Sequence, residues 1–513
     1  ARNTMSTYSD GENSVGEMGG FLQVSGLKYT IDTTVKSSAK GDDKSMFVSV
    51  DGAYRVKNVK VLKNGKYVDI DPKATYTVAS HNYMLKDSGD GINMFAHDGM
   101  CSRAILGHFN SNKNFMQFVA DNKCKCWNLP QGLLAIMYRS ASAGEKGLLT
   151  KVGLGTFVDP RHQGGKSNEI TTEDLVKVVE MDGEEYLWYT VTAPDVAFIR
   201  GSVADEKGNV SLGDEMYWAD AQYVARATHA NGGKVIVQVR DYVKAGSLAA
   251  HDVQIPGILV DGIVTTKDVE KFHRMTPGTR FSKYLLGEEK MPDVLIHSAP
   301  KPLDERKIIG RRAAMEVKAG MNINIGFGMP EVASAVMTEE GVANHITLVV
   351  EHGLVGGVSA PGERFAVHVN YDALVDEPSQ FDFFHSGGID ISMLGNAQTS
   401  QRGDVNVHKF GKLPSGIGGF IDIVTATKTI IFCGTFTAKG LVEHVEDGKL
   451  VIDNEGSIKK FVADLPEISF NAGYGIKNGC RVMYITERAV FVLTDKGIML
   501  TEYAPGIDVQ KDI

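Results

Sequence analysis

The hydrophobic pattern changes character along the chain. Residues 54–70, YRVKNVKVLKNGKYVDI, alternate apolar and polar positions, break at Asn64-Gly65 and alternate again. Alternation turns one face of a strand toward a core, and Asn-Gly suits a tight reversal, so this stretch predicts a β-hairpin. ATYTVASHNYML (74–85) is a further strand-like run leading into KDSGDG. Residues 102–122 instead space their apolar positions helically. KVIVQV (234–239) and GILVDGIV (257–264) are continuous apolar runs, suited to buried strands of a largely parallel sheet. Residues 265–307 are charged and proline-bearing, which predicts a linker or crossover between two halves.

The second half has a regular rhythm. ERKIIGRRAAMEVKAG (305–320) predicts a helix ending at glycine, and MNINIGFG (321–328) a strand running into glycines. MPEVASAVMTEEG (329–341) starts a helix with Pro330 in its first turn and Glu331 after it. ITLVV (346–350) is the next strand, with Glu351 at its carboxyl end. TIIFCGTF (429–436) repeats strand-then-glycine, and 481–503 alternate around a turn at Asp495-Lys-Gly497. Helices alternating with strands indicate an open α/β sheet, which binds ligands at the carboxyl ends of its strands.

Length and charge narrow the possibilities. The 513 residues allow two or three domains. The net charge of -9, with no basic arm, argues against a nucleic-acid partner. An odd, sparse set of five cysteines favours a reducing compartment, and a cytoplasmic location is expected. Cys124-x-Cys126 has no matching pair downstream, so no structural zinc or other metal is expected. No run of 18 apolar residues predicts a membrane span. The first residues carry no signal peptide and no initial methionine, which predicts a processed chain or a fragment.

The candidate chemistry centres on LVVEHGLVGG (348–357). An acid leaving a strand can bind a ribose hydroxyl, act as a base, act as a nucleophile, or simply be polar where the chain emerges. Around Glu351 stand Gly353, Gly356 and Gly357; Gly326 and Gly328 end the preceding strand, and Gly418 and Gly419 lie in LPSGIGGF. Glycines permit close backbone approach and expose N–H donors, which acyl transfer uses where oxygen charge develops. Gly326-x-Gly328 lacks the third glycine of a dinucleotide fingerprint, and Gly-Ile-Gly-Gly lacks the lysine of a phosphate-binding loop. His352 follows Glu351 directly and should point the opposite way, as a packing residue. Cys433 is read as a buried hydrophobe, and Gln131, on pattern alone, as a turn residue.

From about residue 96 to 513 the motifs PQGLL (130–134), TKVGLGTFVDPRHQGGK (150–166), FIRGSVADEKGNV (198–210), INIGFGMPEVA (323–333), VVEHGLVGG (349–357), GIGGFIDI (416–423) and FCGTFTAKG (432–440) occur in sequence. Together they resemble the family I coenzyme A transferases, most closely the fused single-chain acetate/propionate type. The resemblance implies two related open α/β halves. It makes Glu351 the catalytic nucleophile, passing through an acyl–glutamyl anhydride and a glutamyl–CoA thioester, with Gln131 beside it. It assigns Gly326, Phe327, Gly328, Met329 and Pro330, with Gly353, Gly356, Gly357, Gly418 and Gly419, to the CoA and acyl region. The loop from Gly153 to Arg161 would shape the acyl pocket. Acyl-CoA and small carboxylic acids would be the substrates of a homo-oligomer, with no permanently bound cofactor. Two alternatives accompany this reading: an acyl-CoA hydrolase using the same intermediate, and an inactive protein that only binds ligand.

Residues from about 15 to 95 resemble instead the end of a 5'-nucleotidase C-terminal domain, through GGFLQVSGLKYTID (19–32), YRVKNVKV (54–61) and ATYTVASHNYMLKDSGDGINMF (74–95). That resemblance makes Tyr83 the base-stacking aromatic, with Asn82, Gly89, Asp90 and Gly91 around it. Nucleotidase activity is not expected, because the metal-binding phosphoesterase domain is absent from the sequence. The expected division is 1–95, a nucleotidase-like β-rich segment; 96–300, a first transferase half truncated at its opening strand–loop–helix unit; and 301–513, the half with Glu351. Such a truncation would leave a sheet edge to be covered.

Overall fold

Strand β1 (Leu27–Ile31), β2 (Val56–Lys63) and β3 (Lys66–Asp69) form an antiparallel sheet with β2 in the middle. Lys63 pairs with Lys66 in the antiparallel register that the alternating pattern predicts. These coordinates are a computed structural model that describes residues 27–31, 34, 39–41, 47–50, 56–63, 66–69, 78–80, 92–109, 112–266, 269, 273, 282–296, 300–360 and 367–513. The run at 74–85 supplies β4 (Val78–Ser80). The nucleotidase-like positions Asn82, Tyr83, Gly89, Asp90 and Gly91 lie outside the described residues.

Residues 102–122 are only partly helical. β5 (Arg103–Leu106) is a strand, and the helix α1 (Lys113–Ala120) begins later. The difference has a tertiary cause: β5 pairs in parallel with β6 (Lys125–Asn128), Arg103 opposite Lys125 through Leu106 opposite Asn128. Four residues of helical spacing do not outweigh a ladder of main-chain hydrogen bonds. β6 leads through Pro130 into α2 (Gln131–Ser142).

β7 (Val196–Arg200), β8 (Lys234–Val239) and β9 (Gly262–Thr265) are parallel, in the order β9-β8-β7-β4. β8 matches its apolar run. GILVDGIV does not form one strand: Gly257–Leu259 is a short 3-10 turn and β9 starts only after Asp261. The Asp261 carboxylate accepts from Val235 N–H at 3.0 Å and from Lys234 Nζ at 2.6 Å, which fixes where the chain enters the sheet. β4 fills the place beside β7, with Val78, Ala79 and Ser80 opposite Val196, Ala197 and Phe198. β4 therefore occupies the edge of this sheet beside β7.

The second half follows its predicted rhythm. α3 (Glu305–Ala314) is capped by Asp304, which accepts from Lys307 N–H at 2.8 Å. It stops short of Gly320, whose N–H instead donates to His345 O at 2.7 Å in the turn toward the sheet. Then come β10 (Asn322–Ile325), α4 (Glu331–Glu339), β11 (Thr347–Leu348), β12 (Leu354–Ser359), β13 (His368–Leu374), α5 (Glu377–His385), β14 (Ile391–Gly395), α6 (Phe420–Ala426), β15 (Thr429–Cys433), β16 (Arg481–Ile485), β17 (Ala489–Thr494) and β18 (Gly497–Tyr503). Seven strands form one sheet in the order β11-β10-β14-β15-β16-β17-β18, parallel up to β16 and antiparallel beyond.

Strand periodicity divides this sheet's side chains between two cores. Ile430, Phe432, Val482 and Tyr484 face one apolar cluster with Phe381, Ile421 and Phe470. Ile431, Cys433, Met483 and Ile485 face the other, with Ile309 of α3 and Ala333 of α4. Burial on both faces explains why the strands read as continuous apolar runs, and truncating Phe432 to alanine would cost about 3–5 kcal/mol. Two compact units emerge from the chain: residues 1–80, 193–213 and 224–274, and residues 81–192, 214–223 and 275–513. The second contains Glu351, Gln131 and all the glycines singled out around them.

Candidate active site

β10 and β11 are adjacent parallel strands, with Val349 N–H donating to Ile323 O at 2.9 Å and Asn324 Nδ2 to Val349 O at 2.9 Å. Their carboxyl ends therefore lie side by side at one end of the sheet. From one leave Gly326, Phe327, Gly328, Met329 and Pro330; from the other leaves Glu351. Gly326 N–H donates to Met393 O at 2.8 Å, and Gly328 O accepts from Arg306 Nη2 at 2.9 Å. Phe327 between them is 65% exposed. Met329 and Pro330 lead into α4.

Glu351 sits in a tight turn. Val350 N–H donates to Leu354 O at 2.9 Å and Gly353 N–H to Val350 O at 3.0 Å, folding β12 back along the strand exit. Gly353 has φ of 104°, and a Cβ there would stand 1.8 Å from Val375 O, so the turn admits only glycine. Gly356 and Gly357 follow in β12, next to the bulge where its pairing with β13 shifts. Glu351 itself is half-buried.

The second wall comes from the GIGG loop. A Cβ on Gly419 would stand 2.7 Å from both Cδ and Oε2 of Glu351, and 3.1 Å from Oε1. The carboxyl group thus lies against bare main chain at the start of α6. Gly418 is tied in place on both sides: its N–H donates to Gly107 O at 2.8 Å, and its carbonyl accepts from Gln131 N–H at 2.9 Å. Asn128 Nδ2 donates to Leu106 O and Gly107 O, both at 2.8 Å. The ends of β5 and β6 therefore hold the glycine loop that contacts Glu351.

Gln131 is buried at the first position of α2. Its Nε2 donates to Glu377 Oε1 at 2.9 Å. Glu377 is the first residue of α5, fully buried, and the sequence reading did not single it out. Nor did it single out Asp422, which accepts from Gly132 N–H at 3.0 Å and lies 3.1 Å from His385 Nε2. Burial pushes the Asp422 carboxyl above its usual range. Asp422 carried a readable signal, a lone acid inside the apolar run FIDIV. Glu377 carried none, since an acid behind the cap Asp376 and before Pro378 is ordinary helix-start chemistry.

His352 is 1% exposed and packs against Tyr217, ring centroids 4.6 Å apart. Burial, with His368 nearby, lowers it to about 3, so the ring is neutral at pH 7. Cys433 is buried in β15. The loop Gly153–Arg161 is knit by Asp159, which accepts from Gly155 N–H at 2.9 Å and Arg161 N–H at 3.0 Å. It borders a surface cavity with Val424, Asn471 and Tyr474 that includes neither Glu351 nor Gln131. Among the described residues no group of three or more His, Cys, Asp or Glu side chains could hold a metal ion. No helix there is long and apolar enough to cross a membrane.

Comparison with known proteins bears on the family. Residues 70–266 match the Coenzyme A transferase family model, and residues 5–97 match that of the 5'-nucleotidase C-terminal domain. The chain is 44% identical over 430 residues to the acetate CoA-transferase YdiF of Escherichia coli K12, covering 84% of this chain and 80% of that protein. It is 40% identical over 429 residues to the caffeate CoA-transferase of Acetobacterium woodii, covering 82% and 81%. The crystal structure of the acyl-CoA transferase YdiF apoenzyme from Escherichia coli O157:H7 superposes with a TM-score of 0.80 at 41% identity, over 86% of this chain and 83% of that one. The thioester complex of the same transferase with CoA gives a TM-score of 0.79 over the same shares. With this identity across most of its length, the chain belongs to the coenzyme A transferase family.

Proposed function

We propose that this enzyme moves coenzyme A between a short-chain acyl-CoA and a free carboxylate, of acetate or propionate size, through covalent intermediates on Glu351. The observation that carries the assignment is the contact between the Glu351 carboxyl group and the bare main chain of Gly419. It leaves the carboxylate at a strand's end without side-chain bulk on that side.

The carboxylate attacks the thioester carbonyl, giving an acyl–glutamyl anhydride and the CoA thiolate. The thiolate then attacks the glutamyl carbonyl, forming a glutamyl–CoA thioester and releasing the first carboxylate. An incoming carboxylate reverses both steps and departs as its own CoA ester. Each bond broken is matched by one of similar transfer potential, so the sequence runs without ATP. A solved relative at 41% identity, held as a thioester complex with CoA, supports this route. Gln131, through Gly418 and Glu377, holds the glycine loop and the start of α2 beside the reacting group. Phe327, Gly328 and Met329 offer the accessible part of the path for CoA, while Gly326, Pro330, Gly353, Gly356 and Gly357 let the turns behind it pack closely. In this reading 96–300 and 301–513 are the two halves and 1–95 an accessory segment.

The test is incubation of the full chain with acetyl-CoA, followed by peptide mass analysis. A CoA adduct on Glu351 that an added carboxylate discharges as a new acyl-CoA is expected. A folded protein without an adduct, or with one elsewhere, overturns the assignment. Rapid loss of the adduct to water alone identifies a hydrolase.

A further inference from the structure

Outside the Glu351 site, two thiols meet at the opposite end of the strand pair that supports it. Cys101 stands just before β5 and Cys124 just before β6, and their Sγ atoms are 3.5 Å apart. Lys125 N–H donates to Ser102 O at 3.1 Å, so the two backbones are already held side by side. Contraction of the sulfurs to the roughly 2.05 Å of a disulfide needs a side-chain adjustment, not a rearrangement of strands.

The two thiols are not equivalent. Cys101 is partly exposed, whereas Cys124 is 1% exposed. The Cys124 thiol hydrogen-bonds Cys101 and holds it below the usual thiol range; the same bond, with burial, pushes Cys124 up. A reachable thiolate beside a sheltered thiol is the arrangement of a redox-responsive pair. Cys126 is fully buried, Cys433 lies in β15 and Cys480 in the turn before β16, so none of them shares this placement.

We propose that Cys101 and Cys124 form a reversible dithiol–disulfide pair oxidised by hydroperoxides. The Cys101 thiolate attacks a peroxide oxygen, becoming a sulfenic acid and releasing water or an alcohol. The Cys124 thiol displaces the sulfenic hydroxyl, forming the S–S bond and a second water. Two electrons pass from the thiols to the peroxide, and an external thiol returns them. The bond staples β5 to β6 at the end remote from Gly107 and Gln131. The site does not depend on the role assigned to Glu351.

The experiment treats the full native chain with hydrogen peroxide, alkylates it in denaturant and measures intact and peptide masses. Expected are a loss of about 2 Da, two protected thiols and a Cys101–Cys124 linked peptide that dithiothreitol abolishes. In Cys124→Ser the Cys101 sulfenic acid should persist and be trapped by dimedone. Overturning results are five alkylatable thiols after peroxide treatment, Cys101 driven to sulfinic acid in the wild-type chain, or linkage of Cys101 to another cysteine.

Discussion

Gly419 stands against Glu351 so closely that a single methyl group would reach within 2.7 Å of the carboxyl carbon. The φ of Gly419 is -85°, which alanine accepts without strain, so Gly419→Ala perturbs space and not backbone. Displacing a reacting group by about 1 Å can lower turnover about 100-fold, and a kcat loss of that order is expected with little change in melting temperature. Steady-state transfer assays and a thermal melt check both; wild-type turnover would mean that the carboxylate reacts from some other position.

Glu377 supplies the acceptor for the buried Gln131 amide. Glu377→Ala would leave that donor buried and unmatched, a cost of about 1–3 kcal/mol. The expected outcome is a fall in kcat of about tenfold, equivalent to about 1.4 kcal/mol. The KM for acyl-CoA should change much less. Glu377→Gln restores an acceptor and should recover part of the loss. Equal defects in both variants would show that the Gln131 contact is not what matters.

Two buried histidines make the fold sensitive to acid. His352 is lowered to about 3 and His368 to about 4, burial being the main cause in both. The unfolded chain, with an ordinary histidine near 6.5, binds protons that the folded chain excludes. Their contribution is therefore present above about pH 6.5 and is lost progressively as pH falls toward 4 and then 3. By pH 5 the loss is about 2 kcal/mol for each ring. Urea melts of wild type and of His352→Gln between pH 7.5 and 5 check this: the variant should lose less stability on acidification.

β4 pairs with β7 over Val78 to Ser80. Adjacent residues in an edge strand point their N–H groups in opposite directions, so prolines at both 78 and 79 remove at least one ladder donor. The double variant Val78→Pro, Ala79→Pro should speed amide exchange at residues 196–198, while β9 on the far side of β8 is little affected. Unchanged protection there would show that β4 does not seal that edge.

Much of this was legible because the large sheet is buried on both faces. Ile430 to Phe432 and Val482 to Ile485 must all be apolar, so they announce themselves as runs. The placement of Glu351 was legible for the converse reason, as a lone acid where such a run stops. β5 was not, because four residues do not establish a period and its pairing with β6 is a tertiary event. Glu377 was hidden for a related reason. Its partner Gln131 is 246 residues away, and nothing local distinguishes a buried acid at a helix start from a solvated one.

β4 lies within residues 70–97, where the matches to the transferase and nucleotidase families overlap. The ladder beside β7 recognises extended main chain rather than particular side chains. A join placed in that stretch asks only that the donor of the segment deliver a few residues in β conformation. The strand is thus a place where side chains can vary widely while the ladder beside β7 is kept and Glu351, far along the chain, retains its own sheet.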